Sequence, residues 1–281
     1  MTRFRRRALV GIVLTVDMLA AGAGIGRASA AVPADPYAPG RHVLSFPVAG
    51  AARTAVVVVP ANLTHAVPVV FMFHGHGGTG AVAEWMVGLQ ALWPEAVVVY
   101  PDGLPGHKGI TDPEGLLPGW QTVAGESGDR DIAFYDTMLG TLRAKLPVDS
   151  QRVYVMGHSN GAAFASLLVS QRGGGIAAST TISAQPSAAL LAASPARSMF
   201  MVMGVADPIV PYAIQKLSIP PAERKLGADP RSATVTGFLR SEPGRGGLEL
   251  ATYVHPGGHE IPAEVPRLAV AFFLRHTLSA G

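Results

Sequence analysis

The chain has 281 residues, 48% of them hydrophobic and 15% charged, and it contains no cysteine, which excludes disulfides and anchoring through a lipidated cysteine. Its formal charge is +3, yet residues 1–30 hold five arginines and one aspartate, so the remainder carries about −1. No basic stretch is left to suggest a nucleic-acid partner, and the roughly 250 residues that follow suffice for a single α/β domain with its own core.

Residues 1–30 read as an export leader. Arg3, Arg5, Arg6 and Arg7 form a basic start, residues 8–23 are mostly apolar, and Ala28-Ser29-Ala30 has the small-x-small form of a cleavage site. A retained membrane anchor is disfavoured by Asp17 within the apolar run and by Gly22, Gly24 and Gly26. Arg6-Arg7 also leaves the twin-arginine route open beside the general one. The expectation is a secreted or periplasmic protein cleaved near Ala30. Residues 31–41 are proline-rich and read as an N-terminal arm, followed by a catalytic domain over 42–281.

Two apolar stretches, 43–48 and 54–59, suggest an initial antiparallel pair. Continuous apolar runs follow at 67–73, 96–100, 152–156, 179–183 and 198–203, with a last strand at 248–254. Runs of this kind suit strands covered on both faces, as in a parallel sheet. Helices are expected at 82–92, 129–145, 161–171 and 266–278, the third stopped by Gly173-Gly174-Gly175. The alternation predicts an α/β fold with a mostly parallel sheet of about eight strands flanked by helices. Segments 103–128 and 208–247 show little regular structure and start just after strand ends, where such folds place ligand sites.

Gly157-His158-Ser159-Asn160-Gly161 lies between the strand at 152–156 and a helix, the context of a nucleophile elbow, in which a serine sits on a tight strand-to-helix turn. A serine hydroxyl needs an adjacent base, itself oriented by a third group. In the elbow architecture acid and base follow in that order. The downstream histidines are His255, His259 and His276. His276 reads as a helix-end residue and His255 closes a strand. His259 follows Pro256-Gly257-Gly258, a turn from which a base can reach the serine. Asp207, just past the strand at 198–203, is the leading acid, against a reading in which it only caps a turn before Pro208. Asp229, Glu223 and Glu242 compete, but lie in the irregular stretch.

The glycine-rich His74-Gly75-His76-Gly77-Gly78-Thr79-Gly80 follows a strand and suits an oxyanion hole, with one amide from His76 and another from Asn160. His-x-His also has the look of a metal pair, but no further ligands follow in the loop; neither a metal nor a cofactor is expected. His158 reads as a packing or pocket residue whose side chain points away from the serine. Trp120 is either a wall of the substrate pocket or an anchor of its own loop, and Trp85 and Trp93 read as core.

The segments HGHGGTG (74–80), VVVYPDG (97–103), RDIAFYDTML (130–139), RVYVMGHSNGAAFA (152–165), GVADPIVPY (204–212) and PGGHEIP (256–262) resemble the secreted α/β-hydrolase esterases that include polyhydroxybutyrate-depolymerase-like and feruloyl-esterase-like enzymes. The resemblance implies the α/β-hydrolase fold, Ser159 as nucleophile, Asp207 as acid, His259 as base, and His76 and Asn160 as oxyanion donors. It implies hydroxyalkanoate or hydroxycinnamoyl esters, small or polymeric, as substrates. The chain departs from the family pattern at Ile261, where an aromatic is common, at Ala162, where a second glycine is common, and in having no disulfides.

A serine carboxylic-ester hydrolase is therefore the expectation. An acyltransferase of the same fold would use the same residues, and a non-catalytic binding protein would be expected to have lost one of them.

Overall fold

The computed structural model describes residues 35–278 except residue 185, and the leader read over residues 1–30 lies outside the described residues. Ten strands form one sheet: β1 (Gly40–Val48), β2 (Ala51–Val59), β3 (Val67–Phe73), β4 (Val97–Pro101), β5 (Val148–His158), β6 (Ala178–Ile182), β7 (Ser198–Gly204), β8 (Thr234–Thr236), β9 (Leu239–Pro243) and β10 (Glu249–His255). Their order is β1-β2-β4-β3-β5-β6-β7-β10-β9-β8. The run from β4 to β10 is parallel, while β1 and β2 at one edge and β9 and β8 at the other pair antiparallel. Eight strands match the eight expected from the sequence. The added two lie inside 208–247, and the first strand starts within the stretch read as an arm.

Eight helices are described: α1 (Gly80–Val87), α2 (Leu89–Leu92), α3 (Arg130–Lys145), α4 (Asn160–Arg172), α5 (Ala188–Ala193), α6 (Tyr212–Gln215), α7 (Ile219–Leu226) and α8 (Val265–Phe273). None of them is long and apolar enough to cross a membrane. The helix expected over 82–92 is broken in two at Gly88, which takes a left-handed conformation (φ 50°, ψ 40°) and caps α1, as glycine does most readily.

Side-chain parity divides the core. Along β3, Val69, Phe71 and Phe73 face α3 and α4, while Val70 and Met72 face α1, α2 and α8. The same alternation holds in β4 (Val97 and Val99 against Val98 and Tyr100) and in β5 (Val153 and Val155 against Tyr154 and Met156). This period of two explains why the central strands read as unbroken apolar runs, since both faces are covered. Met199, Met201 and Met203 of β7 form a third cluster with Leu191, Ala222 and Leu226 of α5 and α7.

At the opposite end of the sheet from the strand tips discussed below, Glu249 opens β10. The apolar pattern places His276 near the end of a helix reaching 278, but α8 stops at Phe273 and His276 lies beyond it, buried. Its Nε2 is 2.9 Å from Glu249 Oε2, and Ser241 donates to Glu249 Oε1 at 2.6 Å. Arg275 adds a 3.0 Å bond. Burial pushes the Glu249 carboxyl up, but these partners outweigh it and hold it at about 2, below its ordinary 4.5. Its stabilising contribution is therefore complete above about pH 4.5 and disappears as pH falls toward 2. The difference amounts to at most about 3 kcal/mol, reduced by the half-exposed Arg275. Urea unfolding across this range should show a steeper acid loss in the wild type than in Glu249→Gln. Parallel pH curves for the two proteins would contradict this assignment.

Candidate active site

β5 ends at His158 and α4 begins at Asn160, so one residue, Ser159, makes the turn. It does so at φ 54°, ψ −122°, a region costly for a residue with a Cβ and typical of strain held at a working site. Space explains both flanking glycines. A Cβ on Gly157 would strike the Gly161 carbonyl, and one on Gly161 would strike the carbonyls of Phe73 and His74 at the end of β3. The Ser159 N–H donates to Ile182 O at 2.8 Å, pinning the elbow to the end of β6.

Asp207 follows β7 and is buried. Its Oδ1 accepts the N–H groups of Ile209 (2.8 Å) and Val210 (2.9 Å). Its Oδ2 lies 2.8 Å from His259 Nδ1 and accepts Gln215 Nε2 at 2.9 Å. One oxygen thus caps the turn before Pro208 and the other faces the His259 ring. Burial raises the carboxyl's pKa, but the His259 ring N–H and the Val210 and Ile209 amides outweigh it and keep Asp207 below the ordinary carboxylate range. Gln215 is a site residue that sequence reasoning missed; it is fully buried in α6, and its amide also reaches Val210 O at 2.6 Å.

The rival residues stand elsewhere. His255 is buried beside Tyr253, with Nδ1 3.9 Å from Glu260. Asp229 caps the turn before Arg231, and Glu242 pairs with Arg240.

Ser159 and His259 open into a common cavity of about 300 Å³. Its other walls include Gly75, His76, Gly77 and Gly78 of the loop after β3, and the apolar side chains of Met72, Val82, Ala83, Met86, Ile209 and Ile261. No lysine, arginine or carboxylate is among the residues that line it. Neither His76 N–H nor Asn160 N–H is engaged in a hydrogen bond among the described residues. His74 is buried with Nδ1 on Gly75 O (2.7 Å), and its Nε2 accepts the Gly103 N–H at 2.9 Å. That pattern makes it the neutral tautomer with the proton on Nδ1, in keeping with the lowering of its pKa by burial.

Two sequence expectations, the orientation of His158 and the burial of Trp85, need correction, and of the two readings of Trp120 the pocket wall is the one that fails. His158 does not point away: its ring packs against His259 with centroids 4.9 Å apart, and it lines the cavity. Burial, with the nearby His259 second, pushes its pKa down to about 4, so at neutral pH it sets no positive charge beside His259. Trp120 is not a pocket wall. It is fully buried, stacked on Phe164 at 5.3 Å, and its Nε1 donates to His74 O at 3.0 Å. Trp85 is not core but 84% exposed on α1, whereas Trp93 is buried as expected.

No family model matches the sequence, and no curated protein matches it. Solved structures do. An acetyl xylan esterase from Aspergillus awamori has a TM-score of 0.63 at 16% identity, over 79% of this chain and 94% of that one. A ferulic acid esterase has a TM-score of 0.56 at 17% identity, over 85% of this chain and 98% of that one. A thermostable esterase has a TM-score of 0.61 at 12% identity over 85% of this chain, which spans 63% of that protein's length. The chain has the α/β-hydrolase fold.

At such identities the likeness is one of fold, and function rests on the site. In this sheet the three side chains singled out from the sequence follow the C-terminal ends of β5, β7 and β10. Those three strands are parallel, with β6 between β5 and β7 and with β10 next to β7. Residues 48 and 100 positions apart in the chain are thereby brought to one rim of the sheet.

Proposed function

We propose that the protein is a serine carboxylic-ester hydrolase. The Ser159 hydroxyl attacks the ester carbonyl, and His259 Nε2 takes its proton. Asp207 holds His259 through Nδ1 and stabilises the imidazolium formed. The carbonyl oxygen, as it becomes an oxyanion, is received by the N–H groups of His76 and Asn160. Collapse of the tetrahedral intermediate expels the alcohol, which takes the proton from His259. Water activated by the same imidazole then releases the acid and restores the serine.

The observation that carries this reading is the strained serine sharing one cavity with an imidazole whose far nitrogen is bonded to a buried carboxylate. The esterases among the structures of the same fold support it. The lining supplies apolar contacts and no fixed charge, which favours uncharged esters with an apolar acyl or alcohol part; hydroxyalkanoate and hydroxycinnamoyl esters belong to this class. The proposal includes export directed by residues 1–30, an arm that ends before Gly40 and a catalytic domain from β1 onward.

A panel of p-nitrophenyl acetate, butyrate and octanoate with the anionic hemisuccinate tests both parts of the reading. The neutral esters are expected to be hydrolysed, with kcat/KM at least about tenfold above the hemisuccinate, since an unpaired charge entering an apolar site is costly. Hydrolysis of none of them above the buffer rate would contradict the activity, and a preference for the hemisuccinate would contradict the substrate class.

A further inference from the structure

The two residues that supply the oxyanion N–H groups have something else in common. Each has its side chain fastened to the same irregular segment between β4 and α3. His76 Nε2 lies 2.9 Å from Asp112 Oδ2, and that oxygen also accepts the Leu117 N–H at 2.8 Å. The adjacent Gly77 N–H donates to Pro118 O at 2.7 Å. On the other side, the Asn160 carboxamide clasps the Trp120 backbone in both directions, accepting its N–H at 2.7 Å and donating to its carbonyl at 2.9 Å. Gly119 stands where the two anchors meet. A Cβ there would come to 2.6 Å from His76 Nδ1 and 3.2 Å from Asn160 Oδ1.

The segment is itself closed. Leu104 and Gly119 pair as a two-way backbone bridge, and Arg130 donates to Leu104 O and Pro105 O. Preorganised donors are worth most when they need not reorient as charge develops. A ring held at one nitrogen by a carboxylate and an amide held at both ends give the two backbone N–H groups a shared reference frame.

We infer that residues 104–120 act as the brace that sets the oxyanion hole, with Asp112 the positioning residue for His76 and the Trp120 backbone the positioning element for Asn160. This rests on the ester-hydrolase reading above. Asp112 does not touch the substrate; it acts through the His76 ring. Its carboxyl is held at about 2, chiefly by the His76 hydrogen bond and then by the Leu117 amide, so it remains an acceptor throughout the working pH range.

The test compares Asp112→Ala, Asp112→Asn and Asn160→Ala with the wild type on p-nitrophenyl butyrate. An asparagine oxygen can still accept from both the His76 ring and the Leu117 amide, and Asn160→Ala keeps the backbone N–H while removing the clasp. Asp112→Ala and Asn160→Ala are expected to lower kcat by about 10- to 100-fold with KM within about twofold. Asp112→Asn should restore most of the loss. A trifluoromethyl ketone, whose hemiketal oxyanion occupies the same hole, should lose affinity in parallel with kcat/KM, while the corresponding methyl ketone should not. If Asp112→Ala does not fold, Asn160→Ala decides. Wild-type kcat in the alanine variants, or a kcat loss without a parallel change in trifluoromethyl ketone affinity, would overturn the brace. Failure of the wild type to hydrolyse the ester would instead overturn the reading on which it rests.

Discussion

Replacing Ser159 with alanine is expected to lower kcat for p-nitrophenyl butyrate by about 10³- to 10⁶-fold while the protein remains folded. The size of the loss follows from the role: without the hydroxyl no acyl-enzyme forms, and the remaining N–H donors act only on direct attack by water. The substitution is mild structurally. Ser159 keeps its N–H bond to Ile182 and its carbonyl contacts with Ala162 and Ala163 at the start of α4, all of which are backbone interactions. Alanine at φ 54° has the same Cβ as serine, so the strain is unchanged. Thermal unfolding should therefore move little, and activity and stability separate cleanly. A variant that retains more than a tenth of wild-type kcat would exclude Ser159 as the nucleophile.

Asp207→Asn is the second large effect, with an expected loss of about 10⁴-fold in kcat at neutral pH. Its cause can be traced atom by atom. Oδ1 is committed to the backbone N–H groups of Ile209 and Val210, so the asparagine oxygen takes that position and its NH₂ turns toward His259. The ring must then present Nδ1 as an acceptor and carry its proton on Nε2, the nitrogen that has to receive the proton from serine. The same NH₂ faces the amide nitrogen of Gln215, whose bond to Oδ2 is lost. Steady-state kinetics at pH 7 and again at pH 9 to 10 check this. Activity should recover partly at high pH, where hydroxide replaces the missing base, and a loss below about tenfold at pH 7 would contradict the role of Asp207.

The parts of the molecule legible in the sequence are those whose burial is complete. β3 was expected at 67–73 and runs over those residues because all seven are buried, leaving no polar break to blur its ends. Ser159 was legible because steric need fixes two glycines around it. Other features were hidden for physical reasons. β8 is Thr-Val-Thr at the sheet edge, exposed at every residue, and offers no alternation to detect. α5 and α6 are six and four residues long, too short for a periodic pattern. Trp85 shares α1 with Ala83 and Val87, so its type suggested core, yet it lies on the outer side of the helix. Gln215, Asp112 and Gly119 matter through contacts across turns and loops, which spacing alone does not encode. Only Gly119, beside an aromatic in a loop already marked as functional, left a trace that could have been followed.

The site also shows how one segment can serve two purposes. Residues 103–128 were marked from the sequence as a place for substrate contacts. In the structure the buried Trp120, and the Gln121 N–H that donates to the buried Asp131 at 2.9 Å, tie that region to the body of the protein. The cavity beside Ser159 is lined mainly by the loop after β3, by α1, and by Ile209 and Ile261, with Thr111 the one lining residue from 103–128.

The central claim, that Ser159 is a nucleophile activated by His259, is tested most directly by covalent labelling. The purified protein is treated with a stoichiometric fluorophosphonate, and intact mass and peptide mapping are followed over time at pH 5 and pH 8. The account predicts one adduct per chain, located on Ser159, forming faster at pH 8 than at pH 5 and absent from Ser159→Ala. An adduct on another residue, or ester hydrolysis that continues unchanged while Ser159 stays unlabelled, would contradict it.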